Sequence, residues 1–267
     1  MLHYDGPRNP LDKERTVTSD LPSWPRPLYR PGAGKPFLLY LVFGAFGAEL
    51  SPSQARHRVS GVPRGLRVDG FAANEPGLKP FFDDEPFASQ LSDHEDLAAA
   101  LADAPACMRF IGELEDQPTL DYLRDVIGLV VAALDAGGVA VLDPQTLTWW
   151  TAREFRSTFF DHGGPAPLEH VALLASDEGG GAVWLHTRGM RKFGRPDLSL
   201  RGVREHEHEG AVALMHRLVQ RMADGEMFSE GQEIEAPSLG GRWACHHEGS
   251  LEDPDFNNVR LEIHRGT

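Results

Sequence analysis

Hydrophobic positions fall along this chain in two main spacings, and each predicts a different element. Continuous apolar runs mark buried strands, with "PFLLYLVFGAF" (36–46) the longest and the glycines after it ending the strand. "GLRVDGFAAN" (65–74) and "CMRFIGEL" (107–114) predict two further strands. Between them "SDHEDLAAALADAP" (92–105) predicts a helix that is capped at Ser92, backed by Glu95 and ended by Pro105. Over 119–136, Leu120, Leu123, Ile127, Val130, Val131 and Leu134 recur at three- and four-residue steps. That stripe predicts a helix starting at Pro118 or Thr119 and stopped by Gly137-Gly138. "VAVLDP" (139–144) follows as a short strand, so strand, helix and strand form a βαβ crossover.

Downstream, "TLTWWTAREFRSTFF" (146–160) predicts an aromatic-rich helix, and "EHVALLASDEGGGAVWLHT" a glycine-turned hairpin. "REHEHEGAVALMHRLVQRMADG" (204–225) predicts a helix with Val212, Met215, Leu218, Val219 and Met222 inward and Gly225 as its stop. "GRWACHH" and "NNVRLEIHR" predict closing strands. The class is α+β: a mixed sheet with flanking helices, which two similar lobes would accommodate. Seven prolines punctuate the first 36 residues, so 1–35 forms an irregular Pro-rich arm ahead of a globular body at 36–267. Within the body, 36–115 and 116–267 are candidate sub-lobes.

Charge changes this picture. The net charge is −14, yet residues 188–204 carry six basic groups against Asp197 alone, while 69–125 carry a net −11. An anionic field of this size repels nucleic acid and anionic membranes and accelerates encounter with a cationic partner. The longest apolar runs fall short of the ~20 residues that span a bilayer. The start lacks the basic and apolar regions of a signal peptide, and Cys107 and Cys245 form no framework, so a cytoplasmic setting is expected.

Candidate chemistry is sparse. "RPGAGKP" (30–36) fails as a phosphate loop, because Pro36 follows its lysine and the strand lies on the wrong side. "ASDEGGGAVW" lacks the strand-to-helix context of a dinucleotide loop. No GxSxG elbow is present, and Asp161, His162, His170 and Ser176 make a triad only on paper. Cys107 is expected to be a buried, inert thiol. His206 and His208 point about 200° apart on a helix, and His246 and His247 face opposite ways on a strand. These four leave a metal-assisted hydrolase as one alternative. The basic segment offers another: guanidinium forks at Arg188, Arg191 and Arg195, with His186 and Lys192, suit an anion or a partner. The competing expectation is that the acidic segments neutralise these cations internally.

"AALDAGGVAVLDPQTLTWW" and "VWLHTRGMRKFGRPDLSLRGV" resemble a bacterial family known as a domain of unknown function, with an H-T-x-G-x-x-x-F-G-x-P-[DE]-L segment before a final helix. The resemblance covers roughly 105–235 and is most specific from His186 to Leu198. Such families often accompany secreted-toxin loci, which implies an immunity or accessory role, and no catalytic residue carries over. Without a converging catalytic set, the function expected is a non-catalytic acidic binding protein for a basic partner. It needs no metal or cofactor. Asp83, Asp84 and Glu85 are its candidate steering acids, and Trp149, Trp150, Phe159 and Phe160 its candidate anchors.

Overall fold

A computed structural model describes residues 21–31, 34–47, 50–253 and 256–266. Its elements, in order, are β1 (Phe37–Gly44), α1 (Gln54–His57), β2 (Leu66–Ala72), α2 (Pro80–Asp83), α3 (Phe87–Asp93), α4 (Glu95–Ala102) and β3 (Ala106–Glu113). Then come α5 (Asp121–Asp135), β4 (Gly138–Asp143), β5 (Thr148–Thr151), α6 (Ala152–Phe155), β6 (Ala172–Gly179), β7 (Ala182–Arg188) and β8 (Asp197–Arg204). The chain closes with α7 (His208–Ala223), β9 (Glu233–Glu235), β10 (Arg242–Glu248) and β11 (Arg260–Arg265). About 32% of the chain is helix and 31% strand, an α+β fold.

The strands form two sheets, ordered β2-β3-β1-β4-β5 and β6-β7-β8-β11-β10-β9. β3 and β4 both run antiparallel to β1, one on each side, and are therefore parallel to one another. The expected βαβ crossover through α5 thus exists in split form, with β1 inserted between its two strands. The first sheet takes strands from both sides of residue 115. In the second sheet only β8 and β11 are parallel, and α7 lies between them in the chain.

Alternation along β1 and β4 divides the core. Leu38, Tyr40, Val42 and Val141 face α5 in a large cluster that also takes in α7, Leu185, Leu198, Leu200, Leu261 and Ile263 of the second sheet. Leu41, Phe43, Cys107, Ala140 and Leu142 face the other way, beneath α3 and α4 through Phe87, Leu97 and Leu101. The two sheets therefore share one core, and α2 to α4 form an outer layer over the far face of the first.

Three local expectations need correction. Ser92 caps nothing: it lies inside α3, where its Oγ donates to the Ala88 carbonyl at 3.0 Å, and α4 starts at Glu95 with no side-chain cap. Phe87 sets the earlier start, being buried against the small core and packed on Phe81. The proposed helix over 146–160 is a strand first. Thr148–Thr151 pair with β4, as β-branched and aromatic residues favour. Helix begins only at Ala152, capped by a reciprocal box between Thr151 and Glu154, and continues as a wide turn over 156–160. The helix expected from 204 starts at His208, because Arg204 completes β8.

Trp149 and Phe159 are core residues rather than partner anchors. Trp149 is 5% exposed against Phe43 and Phe82, and Phe159 is 1% exposed against Phe155 and His170. Trp150 and Phe160 are half-buried, the former edge-on to Phe159 and the latter beneath Arg58.

Of the Pro-rich arm, residues 1–20 lie outside the described residues, as do Gly32 and Ala33 of the rejected phosphate loop. Residues 21–31 lie over the body without helix. Trp24 is buried there, and Pro25 bridges to Thr119.

Candidate functional site

The segment from His186 to Leu198 ends β7, turns, and begins β8. Asp197 holds the turn together. Its Oδ1 accepts from Thr187 Oγ1 (3.0 Å) and the Met190 amide (3.1 Å), and its Oδ2 accepts from Asn258 Nδ2 (2.7 Å). Thr187 Oγ1 in turn accepts the Leu198 amide at 2.7 Å. Gly189 has φ of +113° and Gly194 of +65°, and a Cβ on either would strike a backbone carbonyl, of His170 or Gly34. Met190 and Phe193 fill the core beneath. The residue pattern singled out in the sequence is thus a self-braced turn. Burial raises the Asp197 pKa to about 6, with its three donors opposing the shift.

The six basic residues do not form one exposed cluster. Lys192 is fully buried, with its ammonium on Asp143 and on the His170 carbonyl at 3.0 Å. Burial pushes its pKa down, and Asp143 opposes that. Arg195 is 2% exposed; its Nη1 is 3.3 Å from Asp116, and it donates to the Gly194, Gly225 and Glu226 carbonyls. Arg26, from the arm, binds the same Asp116 at 2.6 Å and the Phe193 and Ala223 carbonyls. Two guanidinium groups therefore gather the turn and the carbonyl end of α7 around one carboxylate, as a helix C-terminus favours. Arg201 pairs with Glu178 at 2.7 Å and stacks on Trp184, and Arg204 donates to the Gly180 carbonyl. Arg188 lies half-buried over Phe256. His186, 6% exposed, stacks on Trp184, and its Nδ1 has no hydrogen-bond partner among the described residues. Burial, aided by Arg188, lowers its pKa to about 4, which keeps the ring neutral.

The acidic layer is the opposite case. Residues 74–103, which include α2, α3 and α4, carry Glu75, Asp83, Asp84, Glu85, Asp93, Glu95, Asp96 and Asp103 against Lys79 alone. All eight carboxylates are exposed. Asp83 lies 3.6 Å from Lys79; the other seven make no ion pair or side-chain hydrogen bond among the described residues. Asp83, Asp84 and Glu85 follow the half-buried Phe81 and Phe82, which sequence reasoning missed as aromatic neighbours of the acids. The F-F-D-D-E string was visible, but no periodicity marked it.

The remaining candidates stay apart. His206 and His208 are exposed at the start of α7. His246 Nδ1 lies 2.7 Å from Glu230, and His247 Nε2 lies 2.9 Å from the Phe228 carbonyl. No three His, Cys, Asp or Glu side chains converge as a metal site among the described residues. His170 is buried and Ser176 exposed. Cys107 and Cys245 are buried free thiols, their pKa values raised by burial to about 12 and about 11. No described helix is long and apolar enough to cross a membrane.

One cleft of about 380 Å3 opens where the two sheets meet. Met222, Phe228 and Leu261 form its floor; Pro196, Met227 and Val259 line its sides; Lys35, Glu113 and Arg191 stand at its mouth. No protein-family model, curated protein or solved structure matches the chain, so the resemblance seen at 186–198 rests on the sequence alone.

Proposed function

We propose that this chain is a non-catalytic binding protein that receives a basic macromolecular partner on the acidic layer of residues 74–103. The observation that carries the reading is the state of its carboxylates: all exposed, and all but Asp83 without an ion-pair partner among the described residues. Several acids elsewhere are matched internally, among them Asp116, Asp143, Glu178 and Glu226. An uncompensated patch raises the local concentration of cationic partners and orients their approach. Phe81 and Phe82, both half-buried beside these acids, supply aromatic surface. An inhibitor that shields a basic toxin in the cytoplasm needs this combination and needs no reactive centre. Two buried thiols suit a reducing compartment.

The test is capture from the native lysate by wild type and by a variant carrying Asp83→Asn, Asp84→Asn, Glu85→Gln, Asp93→Asn and Asp96→Asn. A stoichiometric basic partner is expected to be held by wild type, released as salt rises above about 0.1 M, and bound at least about tenfold more weakly by the variant. Equal capture by both proteins, or no basic partner at all, contradicts the proposal.

A further inference from the structure

The cleft at the sheet junction carries a second, separate inference. Its floor is apolar and buried, with Met222 1% exposed, Phe228 6% and Leu261 0%. A volume of about 380 Å3 lies within the range of small-molecule pockets, about 300–1,000 Å3.

Arg191 marks the polar end. Its side chain is only 17% exposed and lies over the Phe37 ring, with Cζ 4.5 Å from the ring centroid. Among the described residues, one of its five N–H donors reaches a hydrogen-bond acceptor, the Asn257 carbonyl at 3.0 Å. Glu113 stands 3.9 Å away, beyond hydrogen-bond reach. The neighbouring Arg195 has spent its donors on Asp116 and surrounding carbonyls. Arg191 is thus a largely buried guanidinium with most of its hydrogen-bonding capacity left over at the rim of an apolar cavity. Lys35, 54% exposed, adds a second cation there, 3.5 Å from Glu113 and 3.6 Å from Glu115.

We infer that this cleft binds a small apolar carboxylate, with its aryl or alkyl body on Met222, Phe228 and Leu261 and its carboxylate on Arg191, assisted by Lys35. A guanidinium fork matches a carboxylate in both geometry and charge. Glu113 opposes the ligand's charge, so its neutralisation strengthens binding. A cationic ligand would show the reverse.

Calorimetric titration with 3-phenylpropionate, and with 3-phenylpropanol as the neutral analogue of the same shape, tests this. Wild type is expected to bind the acid saturably and at least about tenfold more tightly than the alcohol, the worth of one charge-assisted interaction. Arg191→Gln should remove that preference by weakening the acid alone. Glu113→Gln should tighten the acid a few-fold, and Leu251→Asp, at the exposed lip, should weaken it. The last two positions are exposed, so these variants remain informative if Arg191→Gln does not fold. No saturable binding, equal affinity for acid and alcohol, or weaker acid binding in Glu113→Gln would overturn the inference.

Discussion

Residues 188–204 and residues 74–103 are the two most strongly charged segments of the chain, of opposite sign, and the fold treats them in opposite ways. The basic segment alternates cations with Met190, Phe193, Leu198 and Leu200, all with essentially no exposure, so the backbone carries its charges inward with the core. Lys192 and Arg195 enter as ions and are matched by Asp143 and Asp116, because an unpaired buried charge costs several kcal/mol. The acidic segment instead lies on short helices that cover one face of the first sheet. Leu78, Phe87, Leu97 and Leu101 reach inward there, Phe81, Phe82 and Leu91 pack partly against the same core, and every carboxylate stays in water. Density of charge in sequence therefore says little about availability. What decides is whether the intervening residues belong to the core.

The sharpest way to break this contrast is to strip a buried cation of its charge. Lys192→Met leaves Asp143 buried without a counter-ion, and unfolding in denaturant should show a loss of about 3–5 kcal/mol. The double variant Lys192→Met, Asp143→Leu should recover much of that. A loss below about 1 kcal/mol in the single variant would mean the pair is not buried as described.

Next in size are two pH effects of opposite sign. The Asp197 pKa is raised to about 6, so the folded state holds this proton where the unfolded chain has released it. Its contribution is fully present below about 4 and is lost as pH rises through 6, about 3 kcal/mol in all. The His186 pKa is lowered to about 4, so the unfolded chain takes up a proton that the folded state refuses. Its contribution is present above about 6.5 and is lost as pH falls toward 4, by a similar amount. Wild type partly cancels the two. Stability measured from pH 4 to 7 should rise more steeply in Asp197→Asn than in wild type, and His186→Gln should fall where wild type is nearly level. Identical profiles in all three proteins would refute the burial of both groups.

The acidic layer should give the smallest folding effect. Neutralising Asp83, Asp84 and Glu85 together should move unfolding stability by no more than about 0.5 kcal/mol, since among the described residues their carboxylates make no ion pair or hydrogen bond beyond the Lys79 pair. A loss above about 2 kcal/mol would show the acids to be structural.

The same contrast explains what the sequence revealed. Long apolar runs and the stripe from Leu120 to Leu134 located β1, β3, β4 and α5, because their periods report burial directly. Thr148–Thr151 was missed because Trp149 and Trp150 suit a helix stripe as well as an alternating strand, and pairing with β4 decided the matter. The capping box at Thr151 and Glu154 was readable and marked the true helix start. The fate of Lys192 and Arg195 was not readable, since their carboxylates lie 49 and 79 residues away along the chain. The cleft was equally hidden: its floor joins Met222 of α7, Phe228 of the following loop and Leu261 of β11, which meet only in the fold.

The most direct measurement is cross-linking of the protein in complex with its captured partner, using a reagent that joins carboxylates to lysines, followed by mass spectrometry. Intermolecular links should concentrate at Asp83, Asp84, Glu85, Asp93, Glu95 and Asp96 and end on partner lysines. Links confined to carboxylates outside 74–103, with that layer still reactive toward free amine in the complex, would contradict the claim.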